Sequence, residues 1–170
     1  MFITLLLSSI GLWGSCISTN NFEQSFQDNT QNKNSFLSVT KVVDGDTFWV
    51  DNGTEKGMKI RLIGIDAPES RNAFNKRVGY YGKESTAYMK QLLQGKRVRL
   101  VSDVDSLDQF GRTLAYVYLE DGTFVNAELI KGGYAVLMTI PPNVRFAEDF
   151  IALQREARRK NRGLWGKEIR

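Results

Sequence analysis

Short runs of β-branched and aromatic residues recur from residue 36 onward, and several end at an Asp-Gly or Asn-Gly pair. "FLSVTKVV" meets Asp44-Gly45, "DTFWVD" meets Asn52-Gly53, and "GRTLAYVYLE" meets Asp121-Gly122. Such pairs accept the tight turns that join neighbouring strands, so this punctuation reads as a small sheet of short strands. "MKIRLIGI" and "KRVRLVSD" supply two more strands. Between them "GYYGKESTAYMKQLLQG" reads as a helix, with Tyr81, Tyr88 and Leu92 on one side and Gly95 at its end. "FVNAELIKGG" reads as a short helix ended by Gly132 and Gly133. Residues 143–163 form the clearest helix: Phe146, Phe150, Leu153 and Ala157 follow helical spacing, and Gly163 is the expected stop. Five short strands interrupted by one helix, with two helices after them, suit an α+β arrangement: a five-stranded Greek-key barrel of the OB type carrying three helices. On pattern alone an open α+β sheet fits nearly as well.

The first 35 residues have a different texture. "MFITLLLSSIGLWGSC" is apolar, far shorter than the roughly 20 residues that span a bilayer, and ends at Cys16. It reads as a signal peptide over residues 1–16. A cysteine directly after Gly14-Ser15 resembles the bacterial lipoprotein signal, in which that cysteine carries the lipid. Trp13 and the lack of a preceding Lys or Arg depart from that pattern, and an ordinary cleaved signal is the alternative. Residues 17–35, rich in Asn, Gln, Ser and Thr, read as a disordered tether. The expected location is therefore extracytoplasmic, anchored at the membrane through Cys16 or else secreted, and the folded domain is expected over residues 36–170.

Composition narrows the chemistry. The chain has no histidine and one cysteine, which excludes a Ser-His-Asp triad, an intramolecular disulfide and multi-Cys or His-rich zinc sites. Any general base must be a carboxylate, a lysine, a tyrosine or metal-bound water. Lys and Arg number 23 against 19 Asp and Glu, and only Glu23, Asp28 and Lys33 of these fall before residue 36. The folded part is therefore basic, which is compatible with a polyanionic partner.

Against that background, "VVDGDTFWVDNGTEKGMKIRLIGIDAPES" gathers Asp44, Asp46, Asp66 and Glu69 around a mid-strand Arg61. Each acid alone suits a polar turn. Arg61 is harder to place, because it lies between Ile60 and Leu62 and needs a partner if it faces inward. Asp44 and Asp46 are two apart, which on an extended segment puts both carboxylates on one face. An all-oxygen donor set selects calcium, magnesium or manganese over zinc. A metal, arginines and a spare carboxylate suit phosphodiester hydrolysis, with Arg112 of "DQFGRTLAYVY" as the second arginine. Strict alternation separates Arg61 from Asp66. For both to reach one site, the chain must bulge or bend near Gly64, or the strand must end before Asp66.

"VVDGDT", "RLIGIDAPES" and "DQFGRTLAYVY", in this order and at these separations, resemble the staphylococcal nuclease (thermonuclease) family, from about Phe36 through "NRGLWG". The resemblance implies an OB barrel with three helices and calcium-dependent cleavage of DNA and RNA to 3′-phosphate ends. It implies Asp46 and Asp66 as Ca2+ carboxylates, Ala67 as a ligand through its backbone carbonyl, and Asp44 as an outer-shell acid. Arg61 and Arg112 correspond to phosphate-binding arginines, and Glu69 to the catalytic glutamate. Ala67 stands where the family's reference enzyme has threonine, Gln109-Phe110 where it has lysine and tyrosine, and Thr139 and Pro141 where it has two tyrosines. Those substitutions predict a weaker grip on substrate ends and bases, with Arg71, Lys76 and Arg77 as compensating contacts. The expected partners are DNA and RNA as substrates and a membrane through a lipid on Cys16, with the chain a monomer. The alternative is a non-catalytic nucleic-acid or protein-binding module of the same fold.

Overall fold

The computed structural model describes residues 35–70 and 79–166. The expectations for the signal peptide, Cys16, the tether, Arg71, Lys76 and Arg77 lie outside the described residues. Among the described residues, seven strands and three α-helices follow in the order β1 (Leu37–Val42), β2 (Thr47–Val50), β3 (Met58–Leu62), β4 (Ile65–Asp66), α1 (Gly82–Leu93), β5 (Arg97–Val101), β6 (Thr113–Leu119), α2 (Val125–Lys131), β7 (Val136–Leu137) and α3 (Ala147–Arg159). A short 3-10 turn, Gly163–Trp165, follows α3.

Five strands close a barrel in the order β1-β2-β3-β6-β5. Every pairing is antiparallel except β3 with β6, where Arg61 stands beside Leu114 in parallel register. Closure excludes the open sheet and leaves these five strands without a free edge. Phe48, Val50, Ile60, Leu62, Val98, Val117 and Leu119 are buried in the core. In β6, Ala115, Tyr116 and Val117 are all buried in succession, so the strand is covered on both faces. Tyr116 meets Phe146 edge-on at 4.7 Å between ring centroids, and Phe146 in turn packs on Phe124 and Phe150. This aromatic layer seats α3, whose Phe150 and Ala157 are buried.

The chain bends where the parity of Arg61 and Asp66 requires it. β3 stops at Leu62, Gly64 turns with φ 79°, and β4 resumes in a separate two-stranded sheet with β7, pairing Asp66 with Val136. Gly64 also lies so close to the Phe150 ring that a Cβ there would meet it at 2.7 Å. At the break the Ile63 carbonyl is bonded by the buried Asn126 side chain (Nδ2 to O, 2.9 Å), whose Oδ1 accepts from Val117 N at 3.0 Å. Two helix boundaries differ from the sequence expectation. Tyr81 precedes α1 in a left-handed conformation (φ 67°) rather than lying within the helix. The stop of α3 is Asn161, not Gly163: Asn161 takes φ 50°, and the bonds Arg162 N to Ala157 O and Asn161 N to Arg158 O complete a Schellman pattern.

Candidate functional site

Asp44, Gly45 and Asp46 form the turn between β1 and β2, closed by Val43 N to Thr47 O at 2.9 Å. The two acids come together in a turn, not on an extended face as alternation suggested. Gly45 packs against Ser85 and Ala67 so tightly that a Cβ would overlap both. That approach lets Asp46, 6% exposed, reach across to the next segment. Its Oδ2 accepts from Ala67 N at 2.8 Å, and its Oδ1 accepts from Thr47 Oγ1 at 2.9 Å. It is therefore the Ala67 N–H that bonds directly to Asp46. Asp44 Oδ1 accepts from Asp46 N at 3.3 Å. Burial, with the Asp46 carboxylate alongside, pushes the Asp44 carboxyl up to about 6.

Arg61 joins the acids. Its NH2 lies 3.1 Å from Asp46 Oδ2 and 2.9 Å from Asp66 Oδ1, so one nitrogen bridges two carboxylates. Its NH1 donates to the carbonyls of Leu62 (2.8 Å) and Ile65 (2.7 Å), the two residues flanking the bend. The Gly64 turn is thus what aims backbone carbonyls at Arg61 and carries Asp66 back to its guanidinium. No group of three or more acidic or cysteine side chains suited to a metal ion occurs among the described residues. Two carboxylates do converge on one cationic centre, and a third lies beside Asp46. A hard cation held by two carboxylates, a backbone carbonyl and water needs no third acidic side chain. The donor chemistry fits calcium.

Arg61 also lines a cleft of about 400 Å³ together with Arg112, Asp108, Gln109, Phe110 and Pro141. Arg112 directly precedes β6 and is oriented by Asp108: its Nε donates to Oδ2 at 2.6 Å and its backbone N to Oδ1 at 3.0 Å. Burial works against the charge on Asp108, but its hydrogen bonds from Arg112 prevail and hold the carboxyl below the ordinary range. The guanidinium lies 5.3 Å over the Phe110 ring. Its two terminal nitrogens bond no described residue, which leaves them for a ligand in the cleft. The cleft walls are tied together by Asn143, which accepts from Asp105 N (2.8 Å) and donates to Asp105 O (2.9 Å).

The predicted residues therefore divide. Arg61 is shared between the acidic cluster of Asp44, Asp46 and Asp66 and the cleft, where it meets Arg112. Glu69 does not line the cleft. It follows Ala67-Pro68, and its carbonyl accepts from Gly79 N at 2.9 Å, while Gly82 approaches too closely to admit a Cβ. Gln109, Phe110 and Pro141 line the cleft, whereas Thr139 does not. Leu107 and Ile140, about 60% exposed, and Phe110, 73% exposed, give it an apolar rim. Sequence reasoning missed Asp108, Asn126 and Asn143. Asp108 had a readable signal, since it stands four residues before Arg112 and just ahead of a Gly turn.

Comparison with known proteins bears on the whole arrangement. The family of staphylococcal nuclease homologues matches residues 59–167. The chain is 39% identical to the thermonuclease of Staphylococcus intermedius over 127 residues, covering 75% of this chain and 74% of that protein. It is 38% identical to the thermonuclease of Staphylococcus hyicus over 127 residues, covering 75% and 73%. With endonuclease YhcR of Bacillus subtilis (strain 168) it shares 33% identity over 134 residues, 75% of this chain but 11% of that longer protein.

Proposed function

The chain belongs to the staphylococcal nuclease family, and on that premise we propose that it is a calcium-dependent nuclease that cleaves DNA and RNA to 3′-phosphate products. The observation that carries the reading is Arg61, which serves an acidic cluster on one side and, with Arg112, a nucleotide-sized cleft on the other. Asp46, Asp66 and the Ala67 carbonyl would hold Ca2+, with Asp44 acting through water. Calcium supplies charge neutralisation at the phosphoryl oxygens and a binding point for water.

The chain's own residues do the rest. Arg112, braced by Asp108, presents its terminal nitrogens to a non-bridging phosphoryl oxygen as a planar fork. Arg61 NH2 turns to a second phosphoryl oxygen once the charge of Asp46 and Asp66 is otherwise met. Placed where negative charge grows in the transition state, the two guanidiniums stabilise it more than the ground state. The Glu69 carboxylate takes or orients the proton of the attacking water at its side-chain oxygens. Water adds to phosphorus, the bond to the 5′ oxygen breaks, and that oxygen leaves with a proton. The apolar rim of Phe110 and Ile140 receives a base without the charge or hydroxyl that would fix a terminal phosphate.

Digestion of plasmid and single-stranded DNA with calcium, with magnesium alone and with chelator tests this reading. Calcium-supported cleavage is expected. Equal turnover in magnesium would contradict the metal assignment, and strand binding without cleavage in any metal would indicate a binding module.

A further inference from the structure

Outside the cleft, a second recess of about 450 Å³ is lined by Lys41, Lys83 and Lys90 with Ser70, Thr86 and Ala87. Residues 83, 86, 87 and 90 fall at helical spacing, so they form one face of α1, and the two lysines stand two turns, about 10 Å, apart. Ala87 between them is short and exposed, and keeps the recess open to solvent. Lys41 faces them from the end of β1. Among the described residues no carboxylate lines the recess, and none of the three lysines makes an ion pair or hydrogen bond with a described residue. Some surface cations elsewhere are paired, such as Arg97 with Glu120, Lys131 with Glu128 and Lys160 with Glu156; what sets the three lysines apart is that they share one concavity. Three ammonium groups around one concavity focus a positive potential that solvent screens but does not cancel.

The place of the recess identifies its anion. Val42 and Val43 also line it, and Val43 adjoins Asp44. Ser70, another lining residue, adjoins Glu69. Ser85, beside Thr86 on α1, is what Gly45 packs against. The recess thus abuts the acidic cluster while sharing no described lining residue with the Arg61–Arg112 cleft. An anion that visits both must be extended and repetitively charged, and a polynucleotide strand has that chemistry.

We propose that Lys41, Lys83 and Lys90 form a second backbone subsite, which holds phosphates of the substrate strand on the side of the scissile bond away from the Arg112 cleft. The inference rests on the nuclease reading above. Lysine is a mobile point charge rather than a fork, so the subsite holds the backbone of any sequence and its grip is sensitive to salt.

The test compares the full chain with Lys41→Gln/Lys83→Gln/Lys90→Gln and with a charge-matched control, Lys56→Gln/Lys96→Gln/Lys131→Gln, whose lysines are exposed elsewhere. Binding of a labelled single strand of about 20 nucleotides is measured in chelator across salt, and calcium-supported cleavage of a dinucleotide is measured separately. A single strand loses about 0.7 in log–log salt slope per phosphate contact removed, so the recess variant should lose roughly 1–2 in slope. Its affinity at low salt should fall tenfold or more. The control should keep the parental slope, and Lys→Arg replacement at the three recess positions should restore it. An unchanged slope in the recess variant, or an equal loss in the control, overturns the subsite. Failure of dinucleotide cleavage with a recess-dependent slope overturns the nuclease reading and, with it, the subsite's place beside a scissile bond, leaving a strand-binding recess. Cleavage with a recess-independent slope overturns the subsite and upholds the nuclease reading.

Discussion

Replacing Asn126 with alanine removes the residue that makes the Gly64 bend tolerable inside the core. Asn126 is fully buried, and its amide bonds Ile63 O at 2.9 Å and Val117 N at 3.0 Å. On the same residue, Ile63 N donates to Ala115 O at 3.0 Å, where the β3–β6 pairing ends. Alanine would strand one buried carbonyl and one buried N–H. An unsatisfied buried group costs about 1–3 kcal/mol, so the pair should cost about 2–6 kcal/mol. Asn126→Asp should do at least as badly, because a carboxylate still accepts from Val117 N but cannot donate to Ile63 O, and its charge has no partner there. Urea unfolding checks this: the midpoint should fall with the slope unchanged, which marks a loss of stability rather than a change in compactness. Because Leu62 O and Ile65 O flank the bend and seat Arg61, turnover of the folded variant should fall as well. A loss below about 0.5 kcal/mol would refute the reasoning, since it would mean that neither backbone group depends on Asn126.

The remaining predictions concern the site. Arg112→Lys keeps a charge but loses the fork and the brace from Asp108, and should lower turnover on the order of 10²-fold in single-turnover cleavage assays. Glu69→Gln should cost a similar factor while calcium binding by calorimetry is retained. Gly64→Ala should destabilise by about 1–3 kcal/mol in thermal unfolding, because it combines left-handed strain with overlap on Phe150. The Asp108 carboxyl is held low in the folded state, so its contribution is present above the unfolded value near about 4 and is lost as pH falls through the native one. The difference in unfolding midpoint between the parent and Asp108→Asn should therefore narrow as pH drops below about 4.

Much of the barrel was legible because local chemistry and tertiary role agree there. Asp-Gly and Asn-Gly turns, β-branched runs and the spacing of Phe150 and Ala157 signal the same elements that the barrel uses. The bend at Gly64 was legible only indirectly, from the odd separation of Arg61 and Asp66. β4 and β7 were not, since two-residue strands carry no period and exist only because the bend brings Ile65 opposite Leu137. Asn126 reads as an ordinary helix residue, because the need for its amide arises 63 positions earlier in the chain, at Ile63. At the candidate site, residue identities were readable but their partners were not. Arg61 was expected to bind phosphate, yet in the structure its bonds run to Asp46, Asp66, Leu62 and Ile65. The stop of α3 was misplaced because Gly163 is the stronger C-terminal signal in sequence, whereas Asn161 takes the left-handed position.

The central claim is that Asp46 and Asp66 hold the calcium on which cleavage depends. Its most direct test is the rate of single-strand hydrolysis as a function of free calcium, for the parent and for Asp46→Asn. The parent should be inactive in chelator and saturate with calcium. Losing one of two ligand carboxylates should raise the calcium needed for half-maximal rate on the order of tenfold or more. Hydrolysis that persists in chelator, or a calcium dependence that Asp46→Asn leaves unmoved, would contradict the account.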